Sequence, residues 1–201
     1  LIVGAHLGSI AIPVADICSK LVAIEANPNN FKLLETNVKL NNTSNITIHN
    51  IAANDKEEKI KFQLNTVNSG GSKRVPIINR YAYTYDNPEV IDVDAHSLDD
   101  YLSEKEFDLV LIDIEGSEYF AMKGMAHILS KTKTLVVEFL PHHIINVAGV
   151  ELSDFLENIP KHLSKLTIPS KNKTCPVDEG IVILQQMFQS GQGDEGIIFH
   201  N

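Results

Sequence analysis

The stretch LIVGAHLGSIAIPVADICSKLVAIEANP, Leu1 to Pro28, decides the fold. Leu1 to Val3 reads as the end of a buried strand. Gly4 and Gly8 flank a tight turn in which a side chain would keep a ligand away from the backbone. Ser9 is placed to cap a helix over SIAIPVADICSKL, with Pro13 in its first turn, where a missing N–H is tolerated. Leu21 to Ile24 is apolar throughout, as a strand covered on both faces of a parallel sheet requires. Glu25 closes that strand about 20 residues after the glycine turn, where nucleotide-binding folds set a carboxylate against the hydroxyls of a ribose. Asn27 and Pro28 then cap and start a second helix, with Phe31, Leu34 and Val38 on one face.

The glycine spacing is G-x-x-x-G, not the G-x-G-x-x-G of dinucleotide sites, so a nicotinamide-dependent oxidoreductase is disfavoured. No Gly-Lys-Ser/Thr follows, which excludes a P-loop. A strand–helix turn that binds nothing remains the plain alternative at this point.

Outward from this unit the chain keeps alternating strand and helix with no domain break, so residues 1–201 read as one domain. NITIHNIAA (Asn45 to Ala53) predicts a third strand and KIKFQL a fourth, antiparallel one. Residues 66–90 are polar and rich in turn formers, a long loop of the kind that covers a site; Tyr81, Tyr83 and Tyr85 alternate within it. EVIDVDA predicts a strand, SLDDYLSE a short helix and Leu109 to Ile112 a buried strand. SEYFAMKGMAHILSK predicts one helix, and TLVVEF a strand ending at Glu138 before His142 and His143. ELSDFLENIPKHL predicts a helix, with final strands at Lys165 to Ile168 and Gly196 to His200. DEGIVILQQMFQSG fits either a helix, through Ile181, Leu184 and Phe188, or a strand, through GIVIL.

Composition bounds the function. The 201 residues carry 17 basic and 26 acidic side chains, a net charge of −9, which argues against nucleic acid or an anionic membrane as the main partner. The longest apolar runs are too short to span a bilayer. Cys18 and Cys175 stand alone and suit a reducing, cytoplasmic setting. The chain opens on Leu1 inside an apolar run, so a preceding N-terminal part is expected. Oligomeric state is not readable.

Polar chemistry gathers at strand ends, where open α/β sheets bind ligands. Gly4, Gly8, Glu25, Asp113 to Glu118 and Glu138 to His143 all fall on that rim. The acids at Asp113, Glu115 and Glu118 also suit the N-terminus of the helix that follows. No i, i+4 pair and no H-x-H supports a metal, so none is expected. No G-x-S-x-G elbow is present, which disfavours a serine hydrolase.

VGAHLG, AIEANPNNFKLLETNVKLNN, NSGG, LDDYL and above all FDLVLIDIEGSE followed by MKGM resemble the FkbM-type methyltransferases. The resemblance runs from Val3 to about Phe139. It implies a class I, Rossmann-like α/β sandwich, a mostly parallel seven-stranded sheet with helices on both faces. It implies S-adenosylmethionine as cofactor, S-adenosylhomocysteine as product, and O-methylation of a hydroxyl on a sugar or other small natural-product acceptor. The cofactor-binding set is then Gly4, Ala5, His6, Gly8, Glu25, Ala26, Ala53 and Asp113. Asn68, Ser69, Gly70, Gly71 and His143 would border the acceptor. Asp113 and Glu115 would orient it, and His142 would take the hydroxyl proton. This chain departs from the family pattern at Ile2 (usually an acid), His6 (usually Asn) and Leu111 (usually Lys). A non-catalytic ligand-binding protein on the same fold is the alternative.

Overall fold

The computed structural model describes all 201 residues, Leu1–Asn201. In chain order the strands are β1 (Ile2–Val3), β2 (Leu21–Ile24), β3 (Ile46–His49), β4 (Ala52–Ala53), β5 (Glu58–Leu64) and β6 (Lys73–Arg74), then β7 (Glu89–His96), β8 (Leu109–Ile112), β9 (Thr134–Phe139), β10 (Lys165–Ile168), β11 (Lys173–Pro176) and β12 (Asp194–His200). They form two sheets. The larger has eight strands in the order β11-β10-β12-β9-β8-β1-β2-β3; the smaller has four, in the order β4-β7-β5-β6.

From β3 to β9 the large sheet is parallel. β12 then runs antiparallel to β9, and β10 antiparallel to β12, which returns β10 to the direction of the parallel set. The expected seven strands therefore become eight. The addition is β11, the second arm of a hairpin that turns through Pro169–Lys171 and a left-handed Asn172 at φ 48°.

Two apolar layers sandwich the sheet. On one face Val3, Val22, Ile24, Val110 and Ile112 join a buried cluster of 29 residues with Met122, Ile128, Phe155 and Leu184. On the other, Ile2, Leu21 and Ala23 join Ala11, Ala15 and Leu34 in a cluster of seven. This alternation along wholly apolar strands is what two-sided coverage demands.

Local expectations fail where the backbone meets tertiary constraints. Ser9 makes no cap: the first helix is short, Ala11–Ala15, and its N-cap is Ile10 with no side-chain hydrogen bond. Asn27 does cap, accepting from the N–H groups of Asn29 and Asn30 ahead of Pro28–Leu40. The segment 45–53 is not one strand. β3 leaves the large sheet at His49, and the chain re-enters as β4 of the small sheet beside β7. The helix expected over SEYFAMKGMAHILSK is two, Glu118–Lys123 and Ala126–Lys131. Gly124 stands at the break, where a Cβ would lie 1.8 Å from the Asn54 carbonyl oxygen. The ambiguous segment is a helix, Val177–Ser190, burying Gly180, Leu184 and Met187. Residues 66–90 hold a 3₁₀ turn at Ser69–Gly71, β6 and a helical turn at Tyr81–Thr84, so the tyrosines do not alternate as in a strand. Tyr83 is buried, while Tyr81 is 83% exposed. Cys18 and Cys175 are free, and no helix is long and apolar enough to cross a membrane.

The end of β1 sets the position of everything on the rim. Val3 lies beside Ile112 in register, and Gly4 follows at φ +93° with the Asp113 carbonyl pressed against its α-carbon; a Cβ there would sit 1.8 Å from that oxygen. Gly191, at φ +70°, has nothing within 4 Å of its Cβ position and isolates the backbone cost. Gly191→Ala is expected to lose about 1 kcal/mol in urea unfolding, the usual cost of a non-glycine residue in left-handed backbone. Gly4→Ala should lose several times more, because β1 and β8 must part. Equal losses would show that the contact at Gly4 relaxes freely.

Candidate active site

A cavity opens at the carboxyl ends of β1, β2 and β8. It is lined by Val3, Gly4, Ile24, Glu25 and Ala26 from the large sheet side and by Ala53, Ile60 and Phe62 from the small sheet, with Ser72 just before β6 and Asp113 and Ser117 at the acidic turn. The small sheet is thus a wall of the site. Gly4, Glu25, Ala26, Ala53 and Asp113 of the expected cofactor set come together here. Ala5, His6 and Gly8 do not line it. Ala5 is buried in the layer beside α-helix Ala11–Ala15. Gly8 is required for packing, since its Cβ would sit 2.9 Å from the Ile12 and Leu34 side chains.

Glu25 is 7% exposed, and both its carboxylate oxygens are aimed by backbone. The N–H of His6 donates to Oε2 and that of Asn27 to Oε1, each at 2.8 Å. Burial raises its pKa, and those donors, with the Asn30 side chain, oppose the rise. His6 reaches this position in left-handed backbone, at φ 50°. Its ring nitrogen Nε2 lies 2.9 Å from Ser69 Oγ.

The NSGG segment packs on the Glu25 side of the cleft. Asn30 Nδ2 donates to the Ser69 carbonyl at 3.1 Å, and Asn27 Nδ2 to Ser72 Oγ at 3.1 Å. Ser69 and Gly70 touch the glycine turn through His6. The strap is tied down further along, where Asp86 accepts from the N–H groups of Thr66 and Val67.

The acidic turn after β8 is locked from within. Glu115 and Gly116 both adopt positive φ, 58° and 102°. Glu118, 2% exposed, accepts from the N–H of Ile114 at 2.9 Å and of Gly116 at 3.1 Å. Burial and the nearby Glu138 push the Glu118 carboxyl up to about 8. So Glu118 is a structural clamp, and Glu115 is a non-glycine residue held in costly backbone, a feature that concentrates at functional sites.

Beyond this turn lies a second polar group. His143, 4% exposed, sits between two carboxylates: Nδ1 is 3.3 Å from Glu138 Oε2, and Nε2 is 3.5 Å from Glu115 Oε2. Lys73, also buried, places Nζ 3.2 Å from the same Glu115 oxygen and 5.6 Å from the centre of the Tyr83 ring. Burial lowers His143 to about 4, helped by the Lys73 charge. Burial, with the charges of Glu115 and Asp113, lifts Glu138 to about 9. The contact at neutral pH is therefore a hydrogen bond between an uncharged imidazole and a protonated carboxyl, not an ion pair. Asp113 opens onto the cleft, where the surrounding walls and the Glu115 charge raise it to about 6.

His142 faces solvent. Its carbonyl accepts from the Tyr83 hydroxyl at 3.1 Å, and its ring stacks near Tyr83 with centroids 6.3 Å apart. The histidine that meets the carboxylates is His143. Sequence reading missed Lys73, Ser72 and Phe62. Lys73 follows the NSGG turn with no local sign of burial, and Phe62 had only the alternation of KIKFQL to mark it.

The positions that depart from the family pattern, Ile2 and Leu111, are register partners across β1 and β8. Both pack into the same apolar layer, away from the cavity. An acid and a lysine at these two places would face each other; here the facing pair is apolar.

Known proteins agree with this architecture. A family model, the methyltransferase FkbM domain, matches residues 3–166. The crystal structure of a methyltransferase FkbM from Methylobacillus flagellatus KT superposes at a TM-score of 0.56 and 16% identity, over 99% of this chain and 42% of that one. A precorrin-6y C5,15-methyltransferase from Geobacter metallireducens GS-15 aligns over 68% of this chain and 50% of that one, at 17% identity and a TM-score of 0.39. At 16% identity the likeness to the first structure concerns the fold, and this chain spans about 42% of its length. A comparison with curated proteins finds no match. With the family model covering most of its length, the chain belongs to the FkbM methyltransferase domain family.

Proposed function

We propose that this chain is an S-adenosylmethionine-dependent methyltransferase that methylates a hydroxyl oxygen of a small, sugar-like acceptor. One observation carries the reading: a buried carboxylate with both oxygens aimed by backbone N–H groups, at the mouth of an apolar-walled cavity beside the glycine turn. A ribose hydroxyl pair suits that carboxylate, because each oxygen keeps a lone pair beyond its backbone bond. Ala53, Ile60 and Phe62 offer the apolar walls that an adenine needs, and the residues present fit the cofactor. The net charge of −9 accords with a small-molecule acceptor rather than nucleic acid.

When bound, S-adenosylmethionine supplies an electrophilic methyl carbon on a cationic sulfur. The chain's part is to hold an acceptor oxygen in line with it, and such positioning is worth on the order of 7–11 kcal/mol in favourable cases. Asp113 lines the cavity and stands two residues from Glu115, so it joins the cofactor side to the polar group around His143. We assign Asp113 and Glu115 to orienting the acceptor hydroxyl. Methyl transfer to the acceptor oxygen would release the hydroxyl proton, which Asp113 and Glu115 are placed to accept.

Two measurements test the reading. Calorimetry with S-adenosylhomocysteine should show saturable binding, weakened at least tenfold in Glu25→Ala, since a charge-assisted hydrogen bond is worth about 1.5–3 kcal/mol. Unchanged affinity in a folded variant rules out the ribose role, and binding of NAD in place of S-adenosylhomocysteine rules out the methyl donor. Hydrogen exchange should show amides of residues 66–86 slowing when S-adenosylhomocysteine binds, because the strap bonds to His6, Asn27 and Asn30 on the Glu25 side. Equal exchange with and without it would mean the strap does not respond to the cofactor.

A further inference from the structure

We propose that Glu115, Glu138 and His143 form a binding site for one divalent transition-metal ion at the acceptor end of the cleft. The three side chains each offer one ligand atom, and these atoms lie within 4.8 Å of one another. Metal–ligand bonds of about 2.0–2.2 Å put opposite ligands roughly 4.0–4.4 Å apart. Closure therefore requires movements of a few tenths of an ångström.

The bonding already present leaves this cluster incomplete. His143 is 4% exposed, yet its Nε2 makes no hydrogen bond; the nearest acceptor, Glu115 Oε2, is 3.5 Å away. The 3.3 Å contact at Nδ1 and the 3.5 Å contact at Nε2 are both longer than an ordinary N–H···O bond, so the imidazole is held loosely between the two carboxyl groups. An ion seated among the three groups would replace these long contacts with short bonds to one ring nitrogen and to the two carboxylates. Glu138, 4% exposed, has no hydrogen-bond partner other than His143.

Charge points the same way. Asp113, Glu115 and Glu138 gather at the ends of β8 and β9. Against them stands one ammonium, Lys73, bonded to Glu115 alone. Three carboxyl groups this close cannot all ionise together unless a cation sits among them. An imidazole nitrogen with two carboxylates suits Mn²⁺, Fe²⁺ or Zn²⁺ better than Mg²⁺, which favours oxygen ligands. Sequence spacing concealed the set, because the ligands follow two different strands and none is an i, i+4 pair.

An ion held by three protein groups keeps positions for further oxygens. An acceptor with two adjacent hydroxyls, as in a sugar, would fill them, and the ion would make one easier to deprotonate. This role for the ion rests on the methyltransferase reading; the ion site does not.

Mn²⁺ titration of the metal-stripped chain, followed by calorimetry and by paramagnetic resonance, is the test. One ion per chain is expected, displaced by Zn²⁺, with affinity at least tenfold weaker in Glu138→Gln and in His143→Gln. Glu115→Gln, on the less buried side of the cluster, serves if either of those fails to fold, and it should weaken binding as much. Absence of saturable binding of Mn²⁺ or Zn²⁺ up to millimolar concentration overturns the proposal, as does undiminished binding in the folded variants. S-adenosylhomocysteine titrated into the same samples separates the two readings. Its binding without Mn²⁺ binding removes the metal site alone; Mn²⁺ binding without it leaves the metal site and removes the methyl donor.

Discussion

The contact between Gly4 and the Asp113 carbonyl governs this molecule. β1 and β8 lie in parallel register, Val3 beside Ile112, and at their ends the two backbones come so close that no side chain fits between them. The glycine turn and the acidic turn therefore start from one point and diverge. One leads to Glu25 through the N–H of His6. The other leads to Glu115 through a loop clamped by Glu118. The Glu25 and Glu115 carboxylates thus take their separation from main-chain packing, which is stiffer than any side-chain arrangement.

The same pair of strands accounts for the departures from the family pattern. A buried acid or lysine alone costs several kcal/mol, and each needs the other. Because Ile2 and Leu111 are neighbours across the strands and pack in the layer beneath the helices, losing both leaves no orphaned charge. The pair fills the layer beneath the helices and is not among the residues that line the cavity.

The parallel core was legible because its strands are apolar without interruption and each is followed by a turn residue of definite use. Leu21–Ile24, Glu25 and the Asn27–Pro28 cap were all readable from local chemistry. What local chemistry could not reveal was competition between segments. Ser9 is a good cap by type, yet the helix starts later, at Ala11, with Ile10 in the cap position. Gly124 is a tolerable helix residue by type, yet the Asn54 carbonyl occupies its side-chain space and two helices result. In the site, Glu25 and Asp113 were visible as strand-end acids. Lys73 was not, because burial of an ammonium depends on Glu115 and Tyr83, 42 and 10 residues away. The choice between His142 and His143 was equally closed to sequence, since adjacent residues differ only in which one the fold turns inward.

The splitting of the chain at His49 has a further meaning for how such a protein can change. β3 ends in the large sheet and β4 begins in the small one, so the wall formed by β5, β6 and β7 hangs beside the parallel sheet without sharing its hydrogen bonds. Insertions between β5 and β7 lengthen an overhang and shift no strand of the large sheet. The chain is therefore divided into a frame that fixes the strand ends and an outrigger whose connections can lengthen freely, tied to the cavity only through the few side chains, Ile60 and Phe62 among them, that wall it.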